Sequence, residues 1–186
     1  MSIFMSYRRN DSADVSGRIY DRLVASFGED LVFKDVDDIP LGMDFKKHLK
    51  DVLNRCAVEL VIIGPNWLEV RDQSGGRRLE SPNDFVRLEV EAALNRDIPV
   101  IPLQVRGASM PTEGDLPPSM ASLASRQGVQ IRSDPDFHRD MDRLIKGLQT
   151  YVATTGSDGK RNIQTETNDS SFFRRWWRVG LCKLYG

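Results

Sequence analysis

Short apolar runs alternate with longer amphipathic segments five times between residues 3 and 151. That alternation is the pattern of a parallel sheet wrapped by helices, because strands running the same way must be joined by crossovers long enough to hold a helix. Strands are expected at Ile3 to Ser6, Leu31 to Phe33, Val58 to Ile63, Val100 to Leu103 and Gly128 to Ile131. Helices are expected at Ala13 to Phe27, Asp44 to Arg55, Asn83 to Arg96, Pro117 to Ala124 and Pro135 to Tyr151. The expected architecture is an α/β, flavodoxin-like three-layer sandwich. Its five-stranded parallel sheet runs in the order 2-1-3-4-5, with helices on both faces.

The second helical segment shows the logic. Phe45, Leu49, Val52, Leu53 and Cys56 recur at three- and four-residue steps, while Lys46, Lys47, Lys50 and Asp51 take the opposite side. Asp44 is placed to accept from the first free amides of that helix. The run Val58-Glu59-Leu60-Val61-Ile62-Ile63 is apolar on both faces, as a central parallel strand must be. Glu59, at its start, is expected to reach solvent at the sheet edge.

Composition limits the function classes. The 186 residues carry 26 basic and 27 acidic side chains and a formal charge of −1, so no global field draws the chain to nucleic acid or an anionic membrane. Two distant cysteines, Cys56 and Cys182, do not make a disulfide framework. No signal-peptide pattern and no apolar run long enough to span a bilayer is present, which places the expected compartment in the cytoplasm. Residues 1–152 read as the folded domain. Residues 153–171, rich in Thr, Ser, Gly, Asn, Asp and Lys, read as a polar linker. Residues 172–186 form an aromatic and basic amphipathic tail, in which Phe172, Phe173, Trp176 and Trp177 share one arc opposite Arg174, Arg175 and Arg178. Such a segment either lies in a membrane interface or docks on a protein surface.

In an open α/β sheet a ligand sits beyond the carboxyl ends of the strands, where the winding reverses. For the order 2-1-3-4-5 that point lies between the first and third strands. These end in Tyr7-Arg8-Arg9-Asn10-Asp11-Ser12 and Gly64-Pro65-Asn66-Trp67, a mouth suited to phosphates and rings. The alternative is that Arg8 and Arg9 are surface charges and Trp67 packs over a loop. The sharper signal is Glu89, whose helical neighbours Phe85, Val86, Ala92 and Ala93 are all apolar. A carboxylate inside a buried stripe is costly unless it is paired or does chemistry. The paired alternative is an ion pair with an arginine of the first loop.

Other chemistries lack their residues. The acidic loop Lys34 to Gly42 has Pro40 where an EF-hand requires glycine, so no metal is expected there. Neither phosphate-cradling glycine loop, nor a nucleophile elbow, nor Cys-x-x-Cys occurs, and His48 and His138 stand singly. The loop Ser74-Gly75-Gly76-Arg77-Arg78 reads as flexible surface.

Three segments together resemble the sequence boxes of Toll/interleukin-1 receptor (TIR) domains, especially bacterial ones. They are Phe4-Met5-Ser6-Tyr7-Arg8-Arg9, then Val32-Phe33-Lys34-Asp35-Val36 leading into Ile39-Pro40-Leu41-Gly42, then Asp84-Phe85-Val86-Arg87-Leu88-Glu89-Val90. The likeness runs from about residue 2 to residue 150, with a longer loop between Trp67 and Asp84 than the family pattern has. It implies a BB loop after the second strand, with Asp37, Asp38, Ile39, Pro40 and Gly42 at its contact tip. Many family members cleave NAD+ at the nicotinamide-ribose bond, using a glutamate that matches Glu89. The same resemblance gives Tyr7, Arg8, Arg9, Phe33, Asp35 and Phe85 to the nucleotide, alongside Ser12 and Trp67 at the mouth. It implies NAD+ as substrate rather than cofactor, activation by self-association, and a role in bacterial defence signalling. Other members are non-catalytic scaffolds that join TIR domains, and that reading stands as the alternative.

Overall fold

The computed structural model describes residues 2–34, 45–96 and 98–153. The acidic loop, with Asp35, Asp37, Asp38, Ile39, Pro40 and Gly42, lies outside the described residues, as do the linker and the aromatic tail beyond residue 153. Five parallel strands, β1 (Ser2–Ser6), β2 (Val32–Lys34), β3 (Cys56–Ile63), β4 (Val100–Val105) and β5 (Val129–Ile131), form one sheet in the order β2-β1-β3-β4-β5. The helices are α1 (Arg9–Phe27), α2 (Phe45–Leu53), α3 (Phe85–Leu94) and α4 (Phe137–Ala153). This is the expected flavodoxin-like sandwich. Among the described residues no helix is long and apolar enough to cross a membrane.

Alternation along the strands builds two apolar layers. On one face Ile3, Met5, Val58, Leu60 and Ile62 meet Ile19 and Leu23 of α1 and Met141, Leu144 and Leu148 of α4. On the other face Phe4 of β1 meets Leu49 and Leu53 of α2, and Val61 and Ile63 of β3 meet Val86, Val90 and Ala93 of α3. Nearly all these side chains are inaccessible to water, so the sheet's strand ends are held by packing from both sides.

Several local details depart from expectation. Helix α1 begins at Arg9 rather than Ala13, because a first turn precedes a kink at Ser12 (φ −140°, ψ 20°). It ends at Gly28, whose φ of 91° reverses the chain while its amide donates to Val24. The helix expected over Pro117 to Ala124 is a 3-10 segment, Pro118–Leu123. Its buried Met120 and Leu123 are spaced by three, and the Pro117-Pro118 pair supplies no amide to an α-helical ladder.

Strand β3 starts two residues earlier than expected, so Cys56 belongs to a strand and not to a helix. The pairing with β1 slips there, from Ser2 opposite Cys56 to Ile3 opposite Val58, leaving Ala57 as an extra residue. The slip puts Cys56 on the side of Phe4, Leu49 and Leu53, and burial pushes its thiol up to about 11. Glu59 then lies opposite Phe4 on one side and Val100 on the other, in the interior of the sheet. It does not reach solvent. Its exposure is 0%, neither carboxyl oxygen has a hydrogen-bond partner, and burial alone pushes the group up to about 8.

Candidate active site

The carboxyl ends of β1 and β3 are neighbours, and the winding reverses between them. Ser6, the last residue of β1, shares the parity of Phe4, so its hydroxyl faces the α3 layer. There it donates to Glu89 Oε2 at 2.7 Å. Glu89 is 4% exposed and lies in the buried stripe of Val86, Val90 and Ala93. A hydroxyl aimed at one carboxylate oxygen fixes the direction of the group.

Helix α3 is positioned at its start by Asp84. This carboxylate caps the helix by accepting from the Arg87 amide through Oδ1 at 3.0 Å. Oδ1 also accepts from Arg8 Nη2 at 2.9 Å, and Oδ2 from Arg8 Nη1 at 3.0 Å. Arg78 Nε approaches Oδ2 to 3.2 Å. Arg8 Nε donates to the Trp67 carbonyl at 2.9 Å, and the guanidinium lies 5.8 Å from the Trp67 ring centre. One buried salt bridge thus ties the exit of β1 to the entry of α3 and to the loop after β3. Breaking such a pair from one side leaves a desolvated charge, at a cost of roughly 3–5 kcal/mol.

A second clamp joins the two strand ends. Asp11 Oδ1 accepts from the Asn66 amide at 2.9 Å, and its carboxylate occupies the space above Gly64. A Cβ at residue 64 would stand 2.2 Å from Asp11 Oδ2, so only glycine admits this approach.

Between these parts opens a hollow of about 160 Å³. Glu89, Val86 and Phe85 line it from α3, Tyr7 to Asn10 from the exit of β1, and Val70 and Arg78 from the loop before α3. Phe85 is 45% exposed and offers a ring one helical turn from Glu89. The lining can hold an aromatic or ribose-sized group against a carboxylate, with arginines at hand for anionic substituents.

Of the residues expected at the site, Tyr7, Arg8, Arg9, Phe85 and Glu89 converge on this hollow. Arg8 lines it with its guanidinium already engaged by Asp84 and Trp67, so its visible work is to position α3. Ser12 is wholly buried, its hydroxyl turned to the Arg8 carbonyl at 3.4 Å, and does not line the hollow. Trp67 is 1% exposed and packs in the core with Leu79 and Val86. Phe33 stands 44% exposed on β2, outside the lining. Sequence reasoning did not single out Ser6, Asp84, Arg78, Asn10 or Val70. Asp84 carried a signal, an aspartate directly before an apolar helical run, but that signal announces a cap and not an ion-pair centre.

Comparison with known proteins supplies a family. The sequence profile described as "TIR domain" matches residues 3–145. No curated protein matches the chain. Among solved structures, the TIR domains of the activated Roq1 resistosome directly recognizing the pathogen effector XopQ superpose with a TM-score of 0.58 at 11% identity. The match covers 79% of this chain and 98% of that one. At that identity the likeness speaks for the fold alone.

Proposed function

The chain belongs to the TIR-domain family, and from that premise we propose that it is an NAD+ nucleosidase, cleaving the bond between nicotinamide and ribose. The observation that carries the reading is Glu89: a carboxylate inside an apolar helix stripe, oriented by Ser6 and opening onto a hollow at the sheet's winding reversal. A domain that serves only as a scaffold has no need to bury an acid beside a cavity.

The chemistry asks little of the protein. Nicotinamide in NAD+ is a cationic leaving group, so the C1′–N bond breaks with its electron pair passing to the ring nitrogen and no general acid is required. Ordinary glycoside hydrolysis, by contrast, uses two carboxyl groups. Among the described residues Glu89 is the carboxylate that lines the hollow. It holds the ribose hydroxyls and stabilises the positive charge that grows on the sugar as the bond lengthens, worth about 3 kcal/mol by analogy with other preorganised sites. Phe85 and Tyr7 flank the nicotinamide ring. Water then adds to C1′ and loses a proton, giving ADP-ribose. Attack by another nucleophile of the same molecule gives a cyclic isomer instead. The hollow is smaller than the 300–1,000 Å³ usual for a whole drug-sized ligand, so it takes the nicotinamide-ribose end while the rest lies over the rim. Self-association through Asp37, Asp38, Ile39, Pro40 and Gly42 raises turnover, as befits a defence signal that must be silent until assembled.

The test is to incubate the full chain with NAD+ over a range of protein concentrations and to resolve nicotinamide, ADP-ribose and cyclic products chromatographically. The expected result is nicotinamide release whose specific activity rises with concentration and falls at least 100-fold in Glu89→Ala, with the thermal melt of the variant unchanged. Nicotinamide release that survives in Glu89→Ala removes the mechanism. Absence of release from the parent chain at every concentration leaves the scaffold.

A further inference from the structure

The loop holding Arg78 is built, not slack. Asp72 Oδ1 accepts from the Ser74 amide, the Ser74 hydroxyl and the Gly76 amide, which folds the glycine pair into a turn. Arg71 and Arg77 bridge across that turn. The Arg78 amide donates to the Val70 carbonyl at 2.8 Å, and the next residue, Leu79, is wholly buried. The backbone beneath Arg78 is therefore fixed from both sides.

Three of the neighbouring arginines have donors engaged by partners on the protein itself. Arg77 donates to the carbonyls of Leu68 and Asp115, Arg87 to Glu91 and to the carbonyl of Glu80, and Arg8 to Asp84 and Trp67. Arg78 differs. Among the described residues it meets Asp84 through Nε, its side chain is 39% exposed, and it lines the same hollow as Glu89. Asp84 is already matched by the two-pronged Arg8 pair, so among the described residues Arg78 adds a second positive charge on an oriented stem at the hollow, where its terminal N–H fork can meet a ligand. A planar fork of this kind matches two oxygens of a phosphate.

We propose that Arg78 binds the pyrophosphate of the substrate, so that the site selects nicotinamide dinucleotides over the phosphate-free nucleoside. The assignment rests on the NAD+ reading of the same hollow: with the nicotinamide riboside end against Glu89, the phosphates must leave past the residues that rim it.

Equilibrium binding separates the two claims. Titration calorimetry with ADP-ribose and with nicotinamide riboside is run on the parent chain, Arg78→Ala, and Arg78→Met, which keeps the aliphatic stem. Both variants are expected to bind ADP-ribose about tenfold more weakly, with a shallower dependence on salt, while nicotinamide riboside affinity changes less than twofold. Equal losses for the two ligands, an unchanged ADP-ribose affinity in both variants, or no ADP-ribose binding by the parent chain overturns the assignment. If the parent binds ADP-ribose through Arg78 yet releases no nicotinamide from NAD+, the anion site stands and the nucleosidase reading fails.

Discussion

Replacing Glu59 by glutamine should stabilise the protein at neutral pH, and by more as the pH rises. The side chain lies in the middle of the sheet at 0% exposure, with Phe4 and Val100 as its strand neighbours and no hydrogen-bond partner on either oxygen. In the unfolded chain the carboxyl releases its proton near 4.5; in the folded chain burial holds the proton up to about 8. The folded state therefore binds the extra proton throughout that interval, and stability falls as pH rises, by about 1.4 kcal/mol per pH unit. Below 4.5 the group costs nothing through titration. At pH 7 the loss has reached roughly 3 kcal/mol, and above about 8, where the folded form also ionises, it levels off. Glutamine has nearly the same shape and does not titrate, so the variant and the parent should differ by less than about 1 kcal/mol at pH 5 and by about 3 kcal/mol at pH 7. Urea denaturation followed by circular dichroism at pH 5, 6, 7 and 8 reads both numbers, and the difference between the two proteins cancels titrating groups that do not interact with residue 59. A constant gap across the four pH values would refute the reasoning, as would a parent chain that is more stable at pH 8 than at pH 5 relative to the variant.

Two further substitutions test the clamps that hold the site. Asp84→Ala strips Arg8 of its partner, uncaps α3 and leaves a buried guanidinium; a loss of about 3–5 kcal/mol by urea denaturation is expected, against less than 1 kcal/mol for an exposed pair such as Arg18 with Asp134. Gly64→Ala drives a methyl group into the Asp11 carboxylate and should cost about 1–3 kcal/mol, most of it absent when Asp11→Ala is made as well, so that the double-mutant cycle shows a clear coupling.

How much of this was legible beforehand depended on whether a feature is written in local periodicity. The β-α order and the buried setting of Glu89 follow from steps of two or of three and four, the strand order was that of the flavodoxin-like fold class, and the structure repeats them. Glu59 escaped because a single extra residue, Ala57, shifts the phase of β3 and moves its start toward Cys56; a bulge leaves no mark on the apolar pattern. Asp84 looked like any helix cap, since its second task depends on Arg8, 76 positions away. Arg78 was hidden by composition. Glycines suggest a loose loop, whereas the three bonds to Asp72 Oδ1 and the buried Leu79 make it a fixed one. Trp67 shows the converse, an indole near the mouth that the core claims for its area.

The two buried glutamates make the functional argument by contrast. Both face the layer between the sheet and helices α2 and α3: Glu59 opposite Phe4, and Glu89 over Ser6, two residues further along the same strand. Glu59 is enclosed by apolar neighbours and meets no donor, so its most favourable state near neutrality is the protonated one, and it has no outlet through which to act on a solute. Glu89 has a hydroxyl directed at it and a hollow in front of it. An acid kept only as part of the packing has no use for either. The step of two residues from the interior of β1 to its carboxyl end is what separates an inert carboxyl from one that can meet a substrate, and the fold reaches that difference by ending the strand at Ser6 and holding α3 across it through Arg8 and Asp84.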